Sequence, residues 1–101
     1  MPGTRQLAAI MFTDIVGYTS LMGADGQKAL SILTKNRELQ KPIIEQNNGR
    51  WIKETGDGVI ASFRAVSDAV RAAIQIQEKC NALNDYRLRV GIHLGEVVFD
   101  H

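Results

Sequence analysis

Asp14 and Asp57 each stand in a short glycine-bearing turn, Phe12-Thr13-Asp14-Ile15-Val16-Gly17-Tyr18-Thr19 and Lys53-Glu54-Thr55-Gly56-Asp57-Gly58, directly after an apolar run. Two carboxylates held together offer hard oxygen donors, which suit Mg²⁺ or Mn²⁺, ions that keep some positions for water or substrate phosphate. Gly17 lets backbone approach a ligand closely, and the amides from Val16 to Thr19 precede a helical segment, where they can meet phosphate oxygens. The chemistry implied is metal-assisted phosphoryl transfer, in which the ions activate an oxygen nucleophile and neutralise the leaving pyrophosphate.

The elements that must bring those turns together can be read in order. Leu7-Ala8-Ala9-Ile10-Met11-Phe12 is a continuous apolar run, the pattern of a first strand buried on both faces. Ala29, Leu30, Ile32, Leu33, Leu39, Ile43 and Ile44 recur at helical spacing, and Asn47-Asn48-Gly49 supplies a stop. A bend is expected at Pro42, which cannot donate to the preceding turn. Trp51–Thr55 and Val59–Phe63 flank Gly56-Asp57-Gly58 as the arms of a hairpin. Val66, Ala69, Val70, Ala73, Ile76, Cys80 and Leu83 predict a second amphipathic helix, with Ser67 and Asp68 in its first turn. Leu88, Val90, Ile92 and Leu94 then alternate with Arg87, Arg89, Gly91 and His93 as a fourth strand with one more polar face.

The order βαββαβ predicts an α+β, ferredoxin-like sandwich: an antiparallel sheet with two helices on one face. The right-handed crossover leaves a gap that strand three fills, antiparallel to strands one and two. The end of strand one then lies beside the start of strand three. Topology alone therefore brings Asp14 to Asp57.

With 101 residues and 45% hydrophobic content, the chain has room for one domain and a modest core. Twelve Lys and Arg against eleven Asp and Glu, scattered along the chain, give no basic footprint for nucleic acid. Cys80 is the only cysteine, so no internal disulfide or thiolate cluster can form, and a reducing, cytoplasmic setting is the natural one. No stretch of 18 apolar residues and no basic-then-apolar leader is present, which predicts no membrane contact by this chain.

Phe12 to Thr19, Lys53 to Gly58 and Leu88 to Glu96 together resemble the three opening motifs of class III nucleotidyl cyclase catalytic domains, a similarity extending from residue 7 to residue 100. The resemblance implies that Asp14 and Asp57 hold two metal ions, Mg²⁺ or Mn²⁺, with the Ile15 carbonyl as a further ligand. It implies that the backbone of Gly17, Tyr18 and Thr19 meets the triphosphate. Lys53 would read the purine and favour adenine, since guanylyl cyclases typically carry glutamate there. ATP would be the substrate, cyclic AMP and pyrophosphate the products. The family's domain continues past the point reached at His101, so residues 1–101 would be its N-terminal part, without the Asn and Arg that steady the transition state and inactive alone.

Each residue also has a plainer reading. Asp14 fits an N-cap or turn former, Asp57 a hairpin residue, and Lys53 a solvated strand side chain. The Gly56-Asp57-Gly58 pattern is followed by β-branched strand rather than the helix a dinucleotide site requires, and no Walker loop exists. His93 lacks a second ligand at metal spacing, and Trp51, Met11 and Cys80 fit packing roles. Two helices cover one sheet face only, so the apolar content of strands one and three predicts a homodimer or other self-association. The alternative to a cyclase is a non-catalytic cyclase-like module for nucleotide sensing or dimerisation; a blander one is a ferredoxin-like interaction domain.

Overall fold

The structure, a computed structural model, describes residues 4–99; residues 1–3, 100 and 101, which the expected domain bounds included, lie outside the described residues. Among these the order is β1 (Thr4–Ile15), α1 (Tyr18–Ala24), α2 (Gly26–Gln46), β2 (Arg50–Thr55), β3 (Gly58–Phe63), α3 (Val66–Leu83) and β4 (Leu88–Phe99). The strands form one sheet in the order β2-β3-β1-β4. All three pairings are antiparallel. Strand three does fill the gap between the first two, and the α+β architecture stands, with α1 as a short third helix between β1 and α2.

The pleat sorts β1 into two faces, because successive side chains point to opposite sides. Ala9, Met11, Thr13 and Ile15 are buried under the helices, while Phe12 is exposed and Asp14 half-buried on the other side. Val59, Ala61 and Phe63 of β3 share the covered face through their pairing with Thr13, Met11 and Ala9. This face, with α2 and α3, holds the hydrophobic core.

Helix α2 starts at a cap formed by Asp25, whose carboxylate accepts from the Lys28 N–H at 3.1 Å. It buries Ala29, Ile32, Leu39, Ile43 and Ile44, the spacing of one helical face. Pro42 sits inside the helix, which continues to Gln46 beyond it. At the stop, Asn48 takes the left-handed conformation with φ 63°, and the Gly49 N–H donates to the Ile44 carbonyl at 2.8 Å. Gly49 is needed for space instead: a Cβ there would lie 2.4 Å from the Phe63 ring.

Helix α3 packs the expected Ala69, Ile76 and Cys80, with Ala73 partly buried beside them, but its stripe is narrower than the sequence expectation and takes in Ala72. It buries Ala69, Ala72, Ile76 and Cys80, whereas Val66, Val70 and Leu83 are exposed. Small side chains let the helix approach the sheet closely, so the stripe that packs is the one with two alanines rather than the bulkiest one. Strand β4 is also longer than its alternating segment, pairing with β1 from Ile15↔Leu88 to Thr4↔Phe99. Because β3 pairs with β1 only over Ala9–Thr13, the β1–β4 ladder projects past the rest of the sheet. This arm gives the molecule its longest extent, 49 Å against 25 and 19 Å.

Candidate metal and nucleotide site

The end of β1, the β2–β3 turn and the start of β4 meet at one end of the open sheet face. They enclose a cleft of about 520 Å³, lined among others by Phe12, Asp14, Thr55, Asp57, Ile60 and Arg89. Thr55 pairs with Gly58, so Gly56 and Asp57 alone form the hairpin loop. Gly56 has φ 59°, as a two-residue loop with glycine in its first central position requires. Gly58 seats the hairpin against β1: a Cβ there would meet Thr55 Oγ1 at 2.8 Å and the Thr13 carbonyl oxygen at 3.1 Å.

Asp57 is a turn residue of the hairpin that also reaches across to β1. Its Oδ2 accepts a hydrogen bond from the Ile15 N–H at 3.0 Å. Asp14 Oδ1 accepts from Arg89 Nε at 2.7 Å, and the two residues are direct cross-strand partners. That hydrogen bond, with the charges of Asp14 and then Asp57, holds the Arg89 guanidinium above its ordinary pKa. The second oxygen of each aspartate takes part in no hydrogen bond among the described residues.

These donors fit a hard divalent cation. Two half-buried carboxylates converge on one cleft, each with an oxygen to spare, and a cationic side chain already answers their charge. Among the described residues no group of three or more His, Cys, Asp or Glu could hold a metal. Remaining ligands would therefore have to be backbone carbonyl, water or substrate oxygen, as Mg²⁺ commonly arranges.

The other predicted residues lie at the margins. Lys53 on β2 is exposed and pairs with Ile60, which pairs in turn with Phe12 and then Gly91. Cross-strand partners share a face, so Lys53 stands on the cleft's side of the sheet without lining the cleft itself. The Phe12 ring lies over Gly91, where a Cβ would come within 2.6 Å of it. Gly17 precedes α1 with φ 71°, and nothing lies within 4 Å of a Cβ built there, so backbone conformation rather than space calls for glycine. Tyr18 packs partly against the core and Thr19 is exposed; neither lines the cleft. The α1 N-terminus has no side-chain cap.

Arg89 is the residue the sequence reading passed over. Alternation placed it on the more polar face of β4, but only the β1–β4 register puts it opposite Asp14. His93 is exposed on the same face, and Met11 and Cys80 are buried in the core, as their plain readings held.

Residues 3–101 match the model of the adenylate and guanylate cyclase catalytic domain. Adenylate cyclase 1 of Rhizobium meliloti (strain 1021) is 30% identical over 111 residues, covering 93% of this chain and 17% of that protein. A second protein of that organism, also named as an adenylate cyclase, is 35% identical over 95% of this chain and 18% of its own length. The chain thus spans less than a fifth of either relative. Among solved structures, an adenylate/guanylate cyclase/hydrolase from Silicibacter pomeroyi superposes with TM-score 0.84 at 33% identity, over 98% of this chain and 62% of that one. A bacterial light-regulated adenylyl cyclase shares the fold with TM-score 0.91 at 19% identity, over 99% of this chain and 33% of the other.

Proposed function

The chain belongs to the adenylate and guanylate cyclase catalytic domain family, and from that premise we propose that it forms part of a catalytic domain that converts ATP to cyclic AMP and pyrophosphate. The observation that carries this reading is the convergence of Asp14 and Asp57 on one cleft, the second bonded to the backbone that follows the first. In the reaction the ribose 3′ hydroxyl attacks the α-phosphorus and the bond to pyrophosphate breaks. Two Mg²⁺ or Mn²⁺ ions, when bound, make that hydroxyl a better nucleophile and neutralise the departing charge.

The chain's own residues have distinct tasks. Asp14, Asp57 and the Ile15 carbonyl would hold the cations, and the Ile15 N–H keeps one Asp57 oxygen fixed while the other makes no hydrogen bond among the described residues. Amides of Gly17, Tyr18 and Thr19 meet phosphate oxygens, in a segment where no side-chain cap competes for them. Lys53, standing beyond Ile60 on the open face, donates to the purine and selects adenine. Arg89 shields the two carboxylates from each other until a cation takes its place. A guanidinium released there remains beside the triphosphate, whose oxygens it suits.

We assign the gathering of metal and triphosphate to residues 1–101, and turnover to a larger assembly in which further residues steady the transition state. The open face, where Phe12 is exposed beside the partly exposed Ile60, is where a second copy would pack. A second reading, a cyclase-like module that senses nucleotide without turnover, is favoured by one observation: Arg89 already occupies one oxygen of Asp14. Manganese-dependent ATP binding tests the shared part of both. The chain should bind Mn²⁺·ATP, and Asp14→Asn should abolish binding; an unchanged titration in that variant would refute the site. Cyclic AMP formation by the full-length protein separates catalyst from sensor.

A further inference from the structure

Beneath Asp14, on the opposite face of β1, a chain of polar side chains crosses a largely apolar core. Thr13, Asn36, Gln40 and Tyr86 are all buried, Gln40 completely at 0% exposure. Gln40 Nε2 donates to Thr13 Oγ1 at 3.1 Å and to Asn36 Oδ1 at 2.8 Å. The Thr13 hydroxyl lies 3.3 Å from Gln40 Oε1, and the Tyr86 hydroxyl donates to Asn36 Oδ1 at 3.1 Å. No buried side-chain nitrogen or oxygen among the described residues lacks a partner. The network is therefore closed and has nothing to offer a ligand.

Its value lies in what it connects. Thr13 immediately precedes Asp14 on β1, Asn36 and Gln40 belong to α2, and Tyr86 stands three positions before Arg89. The segment from Tyr86 to Leu88 is held at each successive carbonyl. Cys80 Sγ donates to the Tyr86 oxygen at 3.1 Å, the Val16 N–H to the Arg87 oxygen at 2.9 Å, and Gln77 Nε2 to the Leu88 oxygen at 2.9 Å. Apolar side chains of similar size would fill the same volume without unsatisfied groups. They would hold it less specifically, because dispersion tolerates small slides that hydrogen-bond angles do not.

We propose that the Thr13–Gln40–Asn36–Tyr86 chain is a positioning device, which fixes the end of β1 and the start of β4 so that Asp14 and Arg89 are presented at a set distance from Asp57. The inference rests on the reading of Asp14 as a metal ligand. Gln40 and Asn36 touch neither metal nor substrate; they act through the strand above them. Loss of the network leaves the fold in place and the carboxylates less well aligned.

The test pairs two readouts that a purely structural role would not separate: Mn²⁺ affinity, followed by the paramagnetic signal of the free ion, and the thermal midpoint. In Thr13→Val/Gln40→Leu both partners become apolar together, so a cooperative transition should persist while Mn²⁺ binds about tenfold more weakly, as when groups that orient a metal ligand are lost. Tyr86→Phe, which removes a single oxygen, should weaken binding less, and Thr13→Ser, which keeps the hydroxyl, should bind as the parent does. If Thr13→Val/Gln40→Leu and Tyr86→Phe both bind Mn²⁺ like the parent while Asp14→Asn does not bind, the positioning role is overturned and the metal site stands. If the parent binds no Mn²⁺, or Asp14→Asn binds equally well, the ligand reading fails and the inference falls with it.

Discussion

Phe63 and Phe12 lie on adjacent paired strands, yet one is 1% exposed and the other 48%. Phe63 faces the helices, in contact distance of the Gly49 backbone; Phe12 lies over Gly91 on the bare side of the same sheet. The polar groups differ in the same way. Under the helices, Thr13, Gln40, Asn36 and Tyr86 satisfy one another in a closed set. On the open face, Asp14 is answered by an exposed guanidinium, and its second oxygen takes part in no hydrogen bond among the described residues. One face is closed and the other open to exchange, the division of labour that the proposed metal site would need.

Truncating the two rings gives the largest expected contrast. Phe63→Ala should cost about 3–5 kcal/mol through transfer and cavity terms, whereas Phe12→Ala should cost under about 1 kcal/mol, as a half-exposed residue does. Equal losses in urea unfolding would mean that the open face is covered in solution, and sedimentation at the same concentrations would show whether a second copy covers it. Next in size, Lys53→Glu should shift the preference for ATP over GTP by about tenfold, near 1.4 kcal/mol, with little change in stability. An unaltered ratio in a competition titration would remove Lys53 from the open face's chemistry.

Arg89→Gln should let Mn²⁺ bind a few-fold more tightly in the absence of nucleotide, because the competing cation is gone; weaker binding would show that Arg89 organises Asp14 rather than reserving it. The smallest effect concerns an ion pair that does not line the cleft. Arg37 donates to Glu54 through Nε at 2.6 Å and through a second nitrogen at 2.9 Å, and this hydrogen bond holds the Glu54 carboxyl below its ordinary range. A depressed folded pKa contributes stability that is present above the unfolded value and lost as pH falls through the folded one. The thermal midpoint should therefore decline more on acidification below about pH 4.3 in the parent than in Glu54→Gln, and salt should shrink the difference.

Much of this arrangement is legible in the chain. The apolar run before Asp14, the glycine-flanked hairpin and the alternation after Leu88 give strand order, and strand order places Asp14 near Asp57 without reference to any relative. Features set by tertiary register are not. Arg89 matters because it falls opposite Asp14, a fact about two strands 75 positions apart. Asn36 and Gln40 read as breaks in an apolar stripe, since spacing shows which residues face inward and not which of them meet. In α3 spacing includes Val66, Val70 and Leu83 in the inward stripe, whereas close approach to the sheet buries Ala72 and leaves those three exposed. Nor does spacing show that Gly17 takes a positive φ, a backbone requirement of its own.

The central position of β1 has a consequence for how the chain becomes structured. Strand β1 must pair on one side with β3 and on the other with β4, which follows every other described element in the chain. The α2–β2–β3 segment can organise locally as it emerges, but β1 waits with an apolar edge exposed until residues 88–99 arrive. Closing so long a loop is slow, and the last ladder to zip is also the one that seats Arg89 against Asp14. The cleft is thus assembled late, and an interrupted chain would carry both aspartates yet lack the strand that brings their counter-charge.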